Sequence, residues 1–158
     1  MTQPICKTLL LVAHAPSPNT ERLAEALVRG ARNPDIDAVE VKRVAPLEAG
    51  PEELLAADAV LLFTTENLGY MSGALKDFFD RSYYPVLEQT QGLPYALCIR
   101  AGHDGTGTRR AVETIVTGLR WRAVQEPLIC RGAFQETFVE QCAALGMYLA
   151  AGLDAAIF

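Results

Sequence analysis

The chain has 158 residues, of which 50% are hydrophobic and 21% are charged. This length matches one domain, so we predict a single domain over residues 1–158, and the high apolar content excludes intrinsic disorder. The 14 basic and 19 acidic residues give a formal charge of −5. This balance excludes a nucleic-acid-binding function, because such proteins carry a basic surface. No apolar run approaches the roughly 20 residues that a membrane span needs.

The four cysteines, Cys6, Cys98, Cys130 and Cys142, form neither a C-x-x-C pair nor a spacing typical of metal ligands. Three of them lie in strand-like segments, so we predict buried, unreactive thiols and no metal site. The apolar stretch at residues 9–13 is too short for a signal peptide. We therefore expect a cytoplasmic location.

Short apolar runs alternate along the chain with amphipathic segments, which predicts alternating strands and helices. Continuous apolar runs predict strands buried on both faces at residues 7–13, 59–63 and 95–99. Two further runs are typical of edge strands and lie at residues 37–44 and 124–130. The first alternates between apolar and charged residues, and Pro127 interrupts the second.

Amphipathic spacing predicts the helices that follow these strands. Longer helices are expected at residues 19–32, from 72 to about 88, around 112–119 and at 136–153, and a short one within 46–57. Asn19 and Ser72 are the predicted N-caps of the first two longer helices. The sum is an α/β fold with a five-stranded parallel sheet covered on both faces. Strand 2 has the pattern of an edge and strands 1, 3 and 4 of the interior, which predicts the order 2-1-3-4-5.

In such a sheet, ligands bind at the carboxyl ends of the strands, at the switch point between strands 1 and 3. The loops at that edge are residues 14–20, 64–72 and 100–108, and both histidines of the chain lie in them. The first loop runs into a helix N-terminus, where unpaired amides bind anions. Because the P-loop and dinucleotide motifs are missing, we expect a single terminal phosphate held by neutral donors.

The three loops carry a family resemblance. The hydroxyl-and-Asn segment of residues 17–20 (SPNT) resembles the phosphate loop of flavodoxin-like FMN proteins. Residues 64–73 (TTENLGYMSG), followed by 75–81 (LKDFFDR), look like the second flavin loop and following helix of NAD(P)H-dependent FMN reductases and quinone reductases. Residues 101–107 (AGHDGTG) lie where those proteins close over the flavin.

The resemblance implies a flavodoxin-like three-layer sandwich that binds FMN non-covalently. Ser17, Asn19 and Thr20 would hold the phosphate, with His14 in the same loop. Gly102 and His103 would approach the pyrimidine side of the isoalloxazine ring. The residues expected along the ring edge are Thr65, Glu66, Asn67, Leu68, Gly69 and Tyr70.

The resemblance also implies an enzyme that transfers hydride from NAD(P)H through FMN to a quinone or similar small acceptor. His103 is the candidate catalytic residue, as a hydrogen-bond donor to the acceptor oxygen. Two alternatives stay open: an electron-carrier protein of the flavodoxin type, and a cofactor-free binding module. The modest charge favours the enzyme over the carrier, whereas Pro18, which offers no amide to a phosphate, favours the cofactor-free module. The helix at 72–88 and the apolar C-terminal segment make a homodimer an alternative to a monomer.

Overall fold

The computed structural model of the chain describes residues 6–158. The strands in this range are β1 (Lys7–Ala13), β2 (Val39–Val44), β3 (Ala59–Asn67), β4 (Tyr70–Met71), β5 (Pro94–Ala101), β6 (Arg122–Ala123) and β7 (Leu128–Arg131). The helices are α1 (Pro18–Ala31), α2 (Pro51–Leu55), α3 (Gly73–Val86), α4 (Thr106–Gly118) and α5 (Glu136–Asp154). The predicted alternation of strands and helices is confirmed.

The sheet has the order β2-β1-β3-β5-β6, and all of these neighbours are parallel. Strand β7 also pairs in parallel with β5, at the opposite end from β6. Strands β6 and β7 together stand where the fifth strand was predicted, so the predicted order 2-1-3-4-5 is confirmed. The carboxyl ends of β1, β3 and β5 therefore lie side by side.

The fifth strand is not continuous, and its prediction over residues 124–130 is wrong in this respect. Only the short strands β6 and β7 pair with β5, and residues 124–127 between them belong to no strand. The amide of Val124 still donates to the Tyr95 carbonyl at 3.0 Å. Pro127 has no amide to donate, which accounts for the break before β7 begins.

Helices cover both faces of the sheet and bury two separate cores. On β1, Leu9 and Leu11 belong to the core under α1 and α5, whereas Leu10 and Val12 belong to the core under α3 and α4. All four side chains are buried. This alternation explains the apolar run at residues 9–13 of β1, since side chains there are buried on both faces of the sheet.

Helix ends depend on capping side chains, and one of them differs from the prediction. Helix α3 begins after the predicted N-cap Ser72, whose hydroxyl accepts a hydrogen bond from the Leu75 amide. Helix α1 begins at Pro18 with Ser17 as N-cap, so the prediction of Asn19 as N-cap is wrong. Proline is favoured at the first helical position, because the backbone amide of any residue there has no partner within the helix, so the amide that proline lacks is not missed. None of the helices within residues 6–158 combines the length and apolar character required to cross a membrane.

Cys98, Cys130 and Cys142 are buried, as predicted, whereas the prediction is wrong for Cys6, which precedes β1 and is exposed. The structure also brings the three buried thiols together, from β5, β7 and α5. Their spacing along the chain did not predict this proximity, because it arises from the packing of α5 on the sheet.

Candidate functional site

The first loop, between β1 and α1, is organised around a capping box. The Ser17 hydroxyl accepts the Thr20 amide at 3.2 Å, and the Thr20 hydroxyl accepts the Ser17 amide at 2.9 Å. The Thr20 hydroxyl also lies 3.0 Å from the Ser17 carbonyl, to which it donates. Thr20 is buried, while Ser17 and Asn19 are exposed at the helix end. Two predicted phosphate ligands thus already bond to each other.

The amides of this loop are few. Pro16 and Pro18 have none, and those of Ser17 and Thr20 donate within the capping box. Among the hydrogen bonds of the described residues, the amides of Ala15 and Asn19 have no partner. The Ser17 hydroxyl donates to the Thr20 hydroxyl oxygen at 2.8 Å, because the Thr20 proton goes to the Ser17 carbonyl. The amides of Ala15 and Asn19 and the Asn19 side chain are therefore the donors that α1 presents to an anion, with the positive end of its dipole behind them.

The second loop, predicted over residues 64–72, is a β-hairpin, and that prediction is corrected. Strand β3 continues to Asn67, and β4 pairs back onto it with Asn67 opposite Tyr70. The two residues between them, Leu68 and Gly69, both have positive φ, at 53° and 75°. This is the pattern of a type I′ turn, whose twist matches that of the hairpin strands. The side chain of Leu68 is fully exposed at the tip.

Glu66, predicted to line the ring edge, holds the third loop in place. Its two carboxylate oxygens accept the amides of His103 and Gly105, each at 2.8 Å. Gly105 is the N-cap of α4, so the carboxylate stands at the positive end of that helix. The structure therefore joins the second and third loops through two charge-assisted hydrogen bonds.

The hairpin is also fixed to α4, through contacts that the sequence did not predict. The Thr108 hydroxyl, which is buried, donates to the Tyr70 carbonyl at 2.9 Å. A Cβ atom at Gly107 would overlap the Gly69 carbonyl oxygen. Position 107 therefore requires a glycine, because the hairpin turn lies too close to its backbone for a side chain. The sequence analysis placed Gly107 and Thr108 in the third loop, and this is corrected, because α4 begins at Thr106.

The remaining predicted residues lie on the surface of these loops. The Thr65 hydroxyl donates to the Asn67 side chain at 2.7 Å. Tyr70 is 41% exposed, so one part of its ring contacts solvent. Gly102 and His103 are exposed in the third loop. His14 lies after β1, where its amide donates to the Phe63 carbonyl at 2.9 Å. Partial burial lowers the pKa of the His14 imidazole, which favours its neutral form.

Two cavities flank the three loops. One, of about 340 Å³, lies between the first loop and the segment after β2, with His14, Arg43 and Glu48 in its wall. The other, of about 320 Å³, adjoins the third loop and is lined by Arg109, Arg110 and Arg131 with a single carboxylate, Glu113.

The arginine-lined cavity has a net positive charge. Arg131 also donates from Nε to the Asp104 carbonyl at 2.7 Å, so it supports the third loop directly. We did not predict Arg131 as a site residue. The signal that could have found it is its position at the carboxyl end of the last strand, next to the third loop.

A curated protein and several solved structures are similar to this chain, although no protein-family model matches it. A curated protein named Flavodoxin from Aquifex aeolicus (strain VF5) is 29% identical over 111 residues, which are 70% of this chain. The chain spans 59% of the length of that relative.

Among solved structures, a flavodoxin from the domain Archaea has a TM-score of 0.77 at 19% identity, covering 92% of this chain and 98% of that one. The flavodoxin, WrbA-like protein from Agrobacterium tumefaciens has a TM-score of 0.72 at 16% identity, covering 96% and 98%. An oxidoreductase from Corynebacterium diphtheriae has a TM-score of 0.65 at 15% identity, covering 94% and 97%. These three proteins share their architecture with this chain over nearly their whole length.

Proposed function

The chain has the flavodoxin-like fold, and from this premise we propose that it binds FMN non-covalently and acts as an NAD(P)H-dependent oxidoreductase. The acceptor is a quinone or a similar small molecule. The binding site is the edge where the first loop, the β3–β4 hairpin and the third loop follow adjacent strands. This is the switch point, where open parallel sheets bind their ligands.

The first loop fits a single phosphate. The Ser17 hydroxyl accepts the Thr20 amide and donates its proton to the Thr20 hydroxyl oxygen at 2.8 Å, so it donates to a phosphate only after that proton rotates outward. Asn19 adds its amide and its side chain. The amide of Ala15 is a further donor. These donors are neutral, which suits a monophosphate in a chain without a P-loop lysine. The prolines at 16 and 18 reduce the number of donors, so the site is a sparse one.

The hairpin and the third loop fit the edge and face of a planar ring. Tyr70 offers a partly exposed aromatic side chain, and the Thr65–Asn67 pair offers polar groups beside it. Bound FMN would supply the hydride chemistry, which no side chain of the protein can perform. The chain's own part is to position the ring and the acceptor. We assign His103, exposed in the third loop, to donate a hydrogen bond to the acceptor oxygen.

The observation that favours an enzyme is the arginine-lined cavity beside the third loop. A dinucleotide donor carries several negative charges, and Arg109, Arg110 and Arg131 present positive charge next to the proposed ring site. Arg109 is ion-paired with Glu113 at 3.1 Å, whereas Arg110 is exposed. Arg110 is therefore the side chain that we expect to contact a phosphate of the donor.

The test is an anaerobic titration of FMN-loaded protein with NADPH, followed by the flavin absorbance. We expect loss of the oxidised flavin bands, and Arg110→Ala should raise the NADPH concentration needed by about tenfold, the effect of one charged hydrogen bond. Arg122→Ala is the matched control, because Arg122 is exposed and pairs at the amino end of β5. A flavin that binds but stays oxidised would overturn the reductase, and a chain that never binds FMN would overturn both parts.

A second candidate is a one-electron carrier that docks on partner proteins. The observation that favours it is the fully exposed Leu68 at the hairpin tip, with Tyr70 beside it, because an apolar rim around a ring site suits a protein partner. The curated similarity to a protein named Flavodoxin points the same way. In the titration above, this candidate predicts no reaction with NADPH but reduction by an artificial one-electron donor.

A further inference from the structure

The three buried cysteines form a cluster that the proposed redox site does not use. Cys98 lies on β5, Cys130 on β7 and Cys142 on α5, and all three side chains are fully buried. The Sγ atoms of Cys98 and Cys142 are 3.7 Å apart, and all three Sγ atoms lie within 4.8 Å of one another. The sulfurs thus mark the corners of a small triangle inside the core under α1 and α5.

This triangle has the size of a three-sulfur metal site. Sulfur ligands stand about 2.3 Å from a d10 metal ion, so three in one plane around it are about 4 Å apart. The separations of 3.7 to 4.8 Å in the structure need to change by less than about 1 Å to reach this geometry. The strand register holds the cluster in shape, since Cys130 pairs with Arg100, two residues after Cys98 on the neighbouring strand.

We propose that Cys98, Cys130 and Cys142 bind one Cu(I) ion in three-coordinate, all-sulfur ligation. Thiolates select soft cations such as Cu(I) and zinc. Structural zinc takes four ligands, and within residues 6–158 this cluster contains three thiols and no fourth group. Cu(I) accepts two or three ligands, so the triangle matches its coordination without a water molecule in an apolar core.

A fixed positive charge, the Arg100 guanidinium, lies beside the cluster. Arg100 donates to the Cys130 carbonyl at 3.0 Å, and its guanidinium carbon lies 5.3 Å from the centre of the Phe138 ring. This fixed cation offsets part of the negative charge that the thiolates carry once the metal displaces their protons.

Burial determines how the ion enters. Because no sulfur of the cluster is exposed, Cu(I) must bind while the chain folds or when α5 opens locally. We therefore expect slow uptake by the folded chain and fast uptake during refolding from denaturant. Once bound, the ion links a helix to two strands of the sheet, so it raises the thermal midpoint of the full chain by mass action.

The experiment uses the full-length, reduced chain, refolded without oxygen in the presence of Cu(I) and challenged with a Cu(I) chelator. We expect one Cu(I) per chain to be retained, and X-ray absorption to give three sulfur neighbours at about 2.3 Å. The matched variants are Cys6→Ala, which removes the exposed thiol and should keep the ion, and Cys142→Ala, which should weaken binding at least tenfold.

Several outcomes would overturn the proposal. They are loss of the ion from the unmodified chain to the chelator, a ligand shell with fewer than three sulfurs, and retention in Cys142→Ala. Displacement by an equal concentration of Zn(II) would overturn the assignment to Cu(I). The X-ray absorption measurement is made on the unmodified chain, so it tests the proposal even if Cys142→Ala does not fold. None of these readouts depends on FMN.

Discussion

Glu66 connects the second and third loops, and its replacement by glutamine tests how the site is held together. In the structure each carboxylate oxygen accepts one amide, from His103 and from Gly105, at 2.8 Å. Glutamine keeps one oxygen as an acceptor. Its NH₂ group then faces the second backbone amide, so one hydrogen bond is lost and two donors oppose each other.

The size of the effect follows from the charge and exposure of the contact. A hydrogen bond to a charged group contributes about 1.5–3 kcal/mol, and Glu66 is only partly buried, so we take the low end of about 1.5 kcal/mol. Because about 1.4 kcal/mol is a factor of ten, the third loop should open about ten times as often. The effect should stay local, since the Thr108 hydroxyl still holds the hairpin to α4.

Native-state hydrogen exchange by NMR measures this directly. We expect the amides of His103 and Gly105 to exchange about tenfold faster in Glu66→Gln. The matched control is Asp104→Asn, which also removes one negative charge next to the third loop, but from a carboxylate that accepts the Thr106 amide at 3.0 Å and not the amides of His103 and Gly105. Unchanged protection in Glu66→Gln would refute the reasoning. Equal acceleration in both variants would show that loop charge, rather than the two hydrogen bonds, holds the loop.

Three further changes test the loops that surround the site. Gly107→Ala should lower the free energy of unfolding by about 1–3 kcal/mol, because its Cβ overlaps the Gly69 carbonyl. Urea titration checks this, with Gly73→Ala as the control, because the methyl added there meets nothing within 4 Å. Ser17→Ala removes the N-cap of α1 and should reduce stability by about 1 kcal/mol in the same assay. Since burial lowers the pKa of His14, the unfolded chain takes up a proton first as the pH falls. Stability should therefore decrease below about pH 6.5, and His14→Asn should remove that part of the urea-midpoint profile between pH 5 and 8.

The part of the fold that depends on local pattern was predictable. A strand buried on both faces needs a continuous apolar run, and β1 shows one that predicted its bounds, Lys7–Ala13, without error. Helix α3 was predicted from its N-cap Ser72 and its amphipathic spacing, and the structure adds the i,i+4 ion pair between Lys76 and Asp80 at 2.6 Å. These features involve residues at most four positions apart, so their physical causes are visible in the sequence.

The part of the site that depends on distant contacts was not predictable. Glu66 bonds to residues 37 and 39 positions away, and its residue type did not distinguish a ligand-facing role from a loop-holding one. The cysteine cluster joins residues separated by up to 44 positions. The hairpin turn was missed for a local reason. Leucine at 68 is unusual with a positive φ, and type I′ turns normally carry Asn or Asp there.

The first loop shows how the chain divides its hydrogen-bond donors between stability and binding. Pro16 and Pro18 restrict the backbone before α1, and the Ser17–Thr20 box uses two of the remaining amides. Each charged hydrogen bond contributes about 1.5–3 kcal/mol, so this loop binds a phosphate less tightly than one with all its amides pointing inward. In the proposed complex most of the FMN affinity must then come from the second and third loops, whose relative position depends on Glu66. We therefore expect Glu66→Gln to weaken FMN binding more than Ser17→Ala does, as measured by fluorescence titration. The reverse order would place most of the affinity in the phosphate loop.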